Sequence, residues 1–156
     1  MRKRWIQLTS GLFLLDLAVK NEIEAHDELE QEQELIPGRV SLLRLHNHGT
    51  AGGRLIGHMD QIIRVSAVMT WGLLLADLAL LAQKGQRVLK CGMAFMTGGA
   101  LCNLYDRCKR GYVVDYLCFH APWRWLSNLV FNLSDLFVFL GAALICLSAG
   151  KETDKA

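Results

Sequence analysis

Leu126-Ser127-Asn128-Leu129-Val130-Phe131-Asn132-Leu133-Ser134-Asp135-Leu136-Phe137-Val138-Phe139-Leu140 opens an apolar run that continues to Leu147, with Asp135 as its one charged residue. A helix needs about 20 such residues to cross a bilayer. A carboxylate at the edge of hydrocarbon is costly unless it is paired, hydrated or in use. The same argument applies to Asp115, which follows Tyr112-Val113-Val114 just after another apolar stretch. Two carboxylates brought together can share a proton and act as an acid and a base, which is protease chemistry.

Working outward, three more apolar blocks precede this one: Trp5 to Val19, Ile62 to Ala82 and Val88 to Leu104. Of the 156 residues, 52% are apolar, and they are blocked rather than spread, as in a membrane protein. The second and fourth blocks meet span length unaided. The first reaches it with Lys20 at the headgroup level, and the third is rich in glycine and ends in charge. Met1-Arg2-Lys3-Arg4 and the apolar run after it imitate a secretory signal peptide. Asp16 interrupts that run and no small-residue cleavage motif follows, so the segment reads as a retained first helix.

These blocks predict one integral membrane domain over 1–156, with spans near 5–20, 62–82, 88–106 and 126–148. The extracytoplasmic loops fall near 21–61 and 107–125. An even number of spans places both termini on one side. The compact basic N-terminus puts that side in the cytoplasm, together with Lys84, Arg87 and Lys90. Trp123 and Trp125 mark an interface.

Within the first loop, Glu22 to Glu34 carries seven acidic residues and no basic one, and reads as a solvated helical turn or two. Pro37-Gly38 breaks it. Val40 to Leu45 predicts a short strand, and the glycine-rich stretch from His46 to Gly53 a mobile loop. Gly111 to Leu117 predicts another strand. The cysteines at 91, 102, 108, 118 and 146 form no CxxC pair. Cys108 and Cys118 fall on the same outer side, where pairing is open to them. Neither cysteine nor histidine forms a ligand cluster, which argues against a metal site. His46, His48 and His120 read as loop histidines.

Several polar residues recur at helical spacing. Asn103, Asp106 and Arg107 share a face at the end of the third block, where Asp106 can pair with Arg107 or receive hydrogen bonds from a neighbouring span. Asn132 and Asp135 are three apart, so Asn132 can orient the carboxylate. Asp16 and Lys20 are four apart, at the spacing of a structural ion pair. Gly98 and Gly99 read as packing residues that let helices approach closely. Asp77 interrupts the second span and receives no role. Each constellation alone has an ordinary explanation: a helix end at the headgroups, interhelical polar glue, a snorkelling lysine.

Their order is more specific. Gly98-Gly99-Ala100-x-x-Asn103-x-x-Asp106-Arg107, Gly111-Tyr112-Val113-Val114-Asp115-Tyr116 and Phe131-Asn132-Leu133-Ser134-Asp135 together resemble the blocks of signal peptidase II, the bacterial lipoprotein signal peptidase family. Asp16-x-x-x-Lys20 and Asn47-x-Gly49-x-Ala51 extend the resemblance, which covers Asp16 to Gly141. It implies an all-α membrane protein of four transmembrane helices, with a small extracytoplasmic β-rich region and a flap-like loop. It also implies an intramembrane aspartic endopeptidase that removes signal peptides from diacylglyceryl-modified prolipoproteins by cutting before the lipidated cysteine. Asp115 and Asp135 are then the catalytic pair. Asp16, Lys20, Asn47, Gly49, Asn103, Asp106, Arg107 and Asn132 are supporting or substrate-binding positions. No metal or cofactor is implied.

The implied partners are lipidated prolipoproteins, membrane lipids and globomycin-type inhibitors, with no nucleic acid, and the implied state is a monomer. The implied location is the bacterial cytoplasmic membrane, with the site near its outer face. The chain departs from the pattern at Gly52-Gly53, where a Phe usually follows the Ala, at Ser134 in place of the usual Ala, and in its acidic run. The competing readings are a catalytically weak relative that binds precursors, and a non-enzymatic membrane transport subunit.

Overall fold

A computed structural model describes residues 2–49, 59–120 and 129–153. The flap positions Ala51, Gly52 and Gly53, and the tryptophans at 123 and 125, lie outside the described residues. The chain is mostly helical with a small antiparallel sheet. Its helices are α1 (Arg2–Ala25), α2 (Met59–Ala82), α3 (Arg87–Arg110) and α4 (Leu133–Thr153). The strands are β1 (Gln33–Ile36), β2 (Val40–Asn47), β3 (Val113–Phe119) and β4 (Val130–Phe131), in the order β1-β2-β3-β4.

Two helical segments, Met59–Ala82 and Leu133–Gly150, are long and apolar enough to cross a membrane. Their outward faces carry Val65, Val68, Met69, Trp71, Leu75 and Phe139. In water such a surface would be a liability, whereas in lipid it is ordinary. The helices α1 and α3 have the length but keep charges on their buried faces, including Asp16, Lys20 and Asp106.

The helix α3 packs against α1, α2 and α4. Glycine makes this possible. A Cβ at Gly98 would meet the Thr9 carbonyl at 3.0 Å, and one at Gly92 the Gly141 carbonyl at 2.8 Å. One at Gly99 would strike the carbonyl of Ser134. The expected packing role of Gly98 and Gly99 is therefore what the backbone shows. Gly99→Ala forces α3 off the start of α4. We expect a loss of ~1–3 kcal/mol, read as a lower thermal midpoint in detergent.

The ends of the elements follow local chemistry. Gly111 closes α3 in the left-handed region at φ 78. Gly38, at φ 67, turns β1 into β2, with Arg39 N–H donating to the Ile36 carbonyl at 3.0 Å. Ile23 and Leu29 pack with Val114 and Tyr116, so the end of α1 is fastened to β3.

Three expectations need correction, the first of them only in part. The acidic run does form solvated helical turns, the end of α1 and a 3₁₀ turn at Asp27–Glu30, but its last residues enter β1. Four of its carboxylates have partners on the sheet: Arg44 holds Asp27 and Glu30, His46 meets Glu24 at 2.8 Å, and His120, just past β3, meets Glu32 at 3.0 Å. His46 and Asn47 lie not in a loop but in β2, paired with Val114 and Val113. The fourth helix starts at Leu133 and not near 126, because Asn132 caps it and Val130–Phe131 pair with β3. The pairing that was left open to Cys108 and Cys118 is not made: Cys108 is exposed, Cys118 is buried, and both are free.

Candidate active site

The sheet and the α4 N-terminus bring Asp115 and Asp135 to one place. Asp115 is carried by β3, which is buried along most of its length. Asp135 sits in the first turn of α4. Asn132 joins them. Its Oδ1 accepts from Asp135 N–H at 2.9 Å, while its own N–H donates to Asp135 Oδ2 at 3.2 Å, a reciprocal capping arrangement. Its Nδ2 donates to Asp115 Oδ1 at 2.7 Å. The sequence expectation that Asn132 orients Asp135 is met, through a helix cap rather than a shared helical face.

Two further asparagines complete the set. Asn47 Nδ2 donates to Asp115 Oδ2 at 2.8 Å, and Asn103 Nδ2 to Asp135 Oδ1 at 2.9 Å. Each of the four carboxylate oxygens thus receives one N–H. Every asparagine is also locked in orientation by a group that can only donate. Gly49 N–H holds Asn47 Oδ1 at 3.0 Å, Lys20 Nζ holds Asn103 Oδ1 at 2.8 Å, and Asp135 N–H holds Asn132 Oδ1. An amide turned over would set donor against donor.

Behind this layer lies a buried ion network. Lys20 Nζ reaches Asp16 Oδ2 at 3.1 Å and Asp106 Oδ2 at 3.0 Å, as well as Asn103, so its three protons face three oxygens. Asp106 also takes Arg110 Nε at 2.9 Å and the Val114 N–H at 3.2 Å. Asp16 takes the Tyr116 hydroxyl at 2.8 Å and both the hydroxyl and N–H of Ser134. Two carboxylates thus face two cations, which offsets the cost of burying them.

Sequence spacing found Asp16 with Lys20, and of the two alternatives open for Asp106 the structure takes the second, a donor from a neighbouring helix. The partners of Asp106 are Lys20 and Arg110, not Arg107. Arg107 instead donates to the Asn103 carbonyl at 3.4 Å, and its charge reaches Asp135 and Asp115. Its Nε is buried without a hydrogen-bond partner among the described residues. Sequence reasoning missed Tyr116 and Arg110. Ser134, where the chain departs from the usual Ala, sends its hydroxyl to Asp16. Arg110 was legible at four residues from Asp106; nothing in the sequence pairs residue 116 with residue 16.

Burial pushes the Asp115 carboxyl up to about 6, against hydrogen bonds from Asn47 and Asn132 that favour its ionised form, with Asp135 adding to the rise. The folded chain therefore holds this proton above the ordinary 3.8, so the stability contributed by Asp115 falls as pH rises between about 4 and 6. We expect a carbon-13 NMR titration of Asp115 to centre near pH 6. Asn47→Ala removes a bond to the ionised form and should move the midpoint higher. A midpoint near 4 would contradict the burial.

The family model described as Signal peptidase (SPase) II matches residues 8–150. The chain belongs to the signal peptidase II family. It is 36% identical over 139 residues to the lipoprotein signal peptidase of Mesorhizobium japonicum, covering 88% of this chain and 80% of that one. The lipoprotein signal peptidase of Brucella ovis is 37% identical over 143 residues, covering 86% and 81%. A bacterial membrane enzyme solved at 2.3 Å shares the fold of this signal peptidase II family member, with a TM-score of 0.82 at 22% identity over 98% of this chain and 91% of that one. A second, solved at 1.9 Å, gives 0.79 at 21% identity over 94% and 92%. Membership in the signal peptidase II family makes the chain a membrane peptidase, in keeping with its two apolar helices.

Proposed function

We propose that this chain is an intramembrane aspartic endopeptidase that removes the signal peptide from diacylglyceryl-modified prolipoproteins, cutting before the lipidated cysteine. The observation that carries this reading is Asn132, whose side chain and backbone hold Asp115 and Asp135 together. Family membership supports the substrate class, since the curated relatives are named lipoprotein signal peptidases.

The chemistry follows from two carboxyl groups in one buried site. Close like charges resist joint ionisation, so the pair holds one proton. The ionised member takes a proton from water as that oxygen attacks the scissile carbonyl carbon. The protonated member donates a hydrogen bond to the carbonyl oxygen. When the tetrahedral intermediate collapses, the C–N bond breaks and the leaving amine of the lipidated cysteine takes up a proton from the pair. Asn47, Asn103 and Asn132 fix the carboxylates so that little reorganisation is needed. Arg107 supplies positive potential, and Lys20 with Asp16 and Asp106 anchors the frame.

On this reading α1, α2, α3 and α4 span the cytoplasmic membrane as one domain. Arg2 Nε reaches the Leu81 carbonyl at 3.1 Å, so the N-terminus and the α2–α3 turn lie at the same end. That basic end is cytoplasmic, and the sheet and the carboxylate pair sit near the outer face. A monomer binds one precursor whose acyl chains remain in lipid, and globomycin-type inhibitors occupy the same site.

The test is to incubate the purified protein in detergent with a diacylglyceryl prolipoprotein and its unlipidated counterpart, and to identify the products by mass. Cleavage of the lipidated precursor alone, before its cysteine, is expected. A folded protein that binds globomycin and leaves the precursor intact would point instead to binding without turnover.

A further inference from the structure

We propose that Tyr116 and Ser134 are positioning residues that dock β3 and the start of α4 onto one shared carboxylate, Asp16, and thereby set how Asp115 and Asp135 face each other. This rests on the reading of Asp115 and Asp135 as the working pair.

Each of the two residues is the immediate chain neighbour of one aspartate. Tyr116 follows Asp115, and strand alternation turns its side chain to the opposite face of β3. Its hydroxyl donates to Asp16 Oδ1 at 2.8 Å and accepts from the Leu133 N–H at 3.1 Å. It therefore touches both α1 and the first residue of α4. Ser134 precedes Asp135, and successive helical residues point about 100° apart. Its hydroxyl and its N–H both go to Asp16 Oδ2. Tyr116, Ser134 and Asp16 are 2%, 0% and 0% exposed, so water does not substitute for these bonds.

The anchor is itself held. Lys20 binds Asp16, and Asp106 on α3 binds Lys20. The strand pairing at this junction is short: among the described residues β3 and β4 pair through Leu117 with Phe131 and Cys118 with Val130, so the bonds to Asp16 act beside the Asn132–Asp115 bond in setting its geometry. Burial and the adjoining Asp16 keep the Tyr116 hydroxyl protonated, so it remains a donor.

The experiment compares the parent with Tyr116→Phe and Ser134→Ala. Ser41→Ala serves as a control: it removes another fully buried hydroxyl from the same sheet, one that meets His120 at 2.7 Å. With a lipidated precursor, each of the two variants should lose about tenfold in kcat with KM changed less than about twofold. Carbon-13 NMR should show the Asp115 titration midpoint displaced by about half a pH unit or more in each. Ser41→Ala should leave both readouts at the parent values. An unmoved midpoint in Ser134→Ala and Tyr116→Phe overturns the proposal, as does a rate loss that only tracks the folded fraction. If the parent itself fails to cleave, the proposed function falls, and the titration alone still decides the positioning.

Discussion

Asp115→Asn and Asp135→Asn each lower prolipoprotein cleavage by about 10²- to 10⁴-fold, the range of positioned acid–base groups. The amide keeps the size of the carboxyl and one accepting oxygen but cannot take a proton from water. It also meets the wrong partners. At position 115 both oxygens accept from asparagines that are locked as donors, so a new NH₂ faces an N–H on one side. The variants should therefore show a modest fall in thermal midpoint beside the large fall in rate. Rates come from product mass spectra in one detergent, and folding from thermal denaturation of the same samples. Full activity in either variant would end the proposed mechanism. Equal losses in rate and folded fraction would assign the aspartates to structure instead.

Lys20→Met costs the folded state about 3–5 kcal/mol, the typical penalty for breaking a buried ion pair. Lys20 is fully buried with Asp16 and Asp106, both also fully buried. Methionine fills much of the stem's volume and leaves two carboxylates without their shared cation. Asp106 keeps Arg110 at 2.9 Å, whereas Asp16 keeps only neutral donors. Adding Asp16→Asn to Lys20→Met should therefore recover part of the loss, since one uncompensated charge disappears. Lys20→Arg should not restore the parent, because a planar fork does not fit a site shaped for three radial protons. The measurement is the denaturation midpoint of each variant in detergent. A midpoint near the parent value in Lys20→Met would show that the network is not needed. Activity should fall further than stability, because Asn103 loses the partner that turns its Nδ2 toward Asp135.

The membrane class, the approximate helices and the unusual placement of Asp115 and Asp135 were legible because each is a local property. Apolar runs of span length and carboxylates at their edges are read along the chain. The Asp16–Lys20 pair was legible for the same reason, as an i, i+4 spacing on one helix. The acidic run was read correctly as solvated helical turns, but its entry into β1 and its partners were not legible. Its partners Arg44, His46 and His120 come from β2 and the end of β3, more than ten residues away in the chain. For Asp106 the sequence left two partners open, and the packing chose: adjacent residues on a helix point apart, so Arg107 turns to the Asn103 carbonyl, while Lys20 from α1 and Arg110, one turn on, reach the carboxylate.

The sequence by itself determined that the chain belongs in a membrane, where its apolar segments lie and which carboxylates stand out, since these depend on composition and spacing within single elements. Only the tertiary structure decided which donor meets which oxygen. Asn47, Asn103 and Asn132 come from a strand, a helix and a helix cap, and they converge because β3 docks beside α4 over the glycines of α3. A hydrogen bond depends on a few tenths of an ångström and on direction, and residues as distant as 16 and 134 acquire that geometry only when the helices pack.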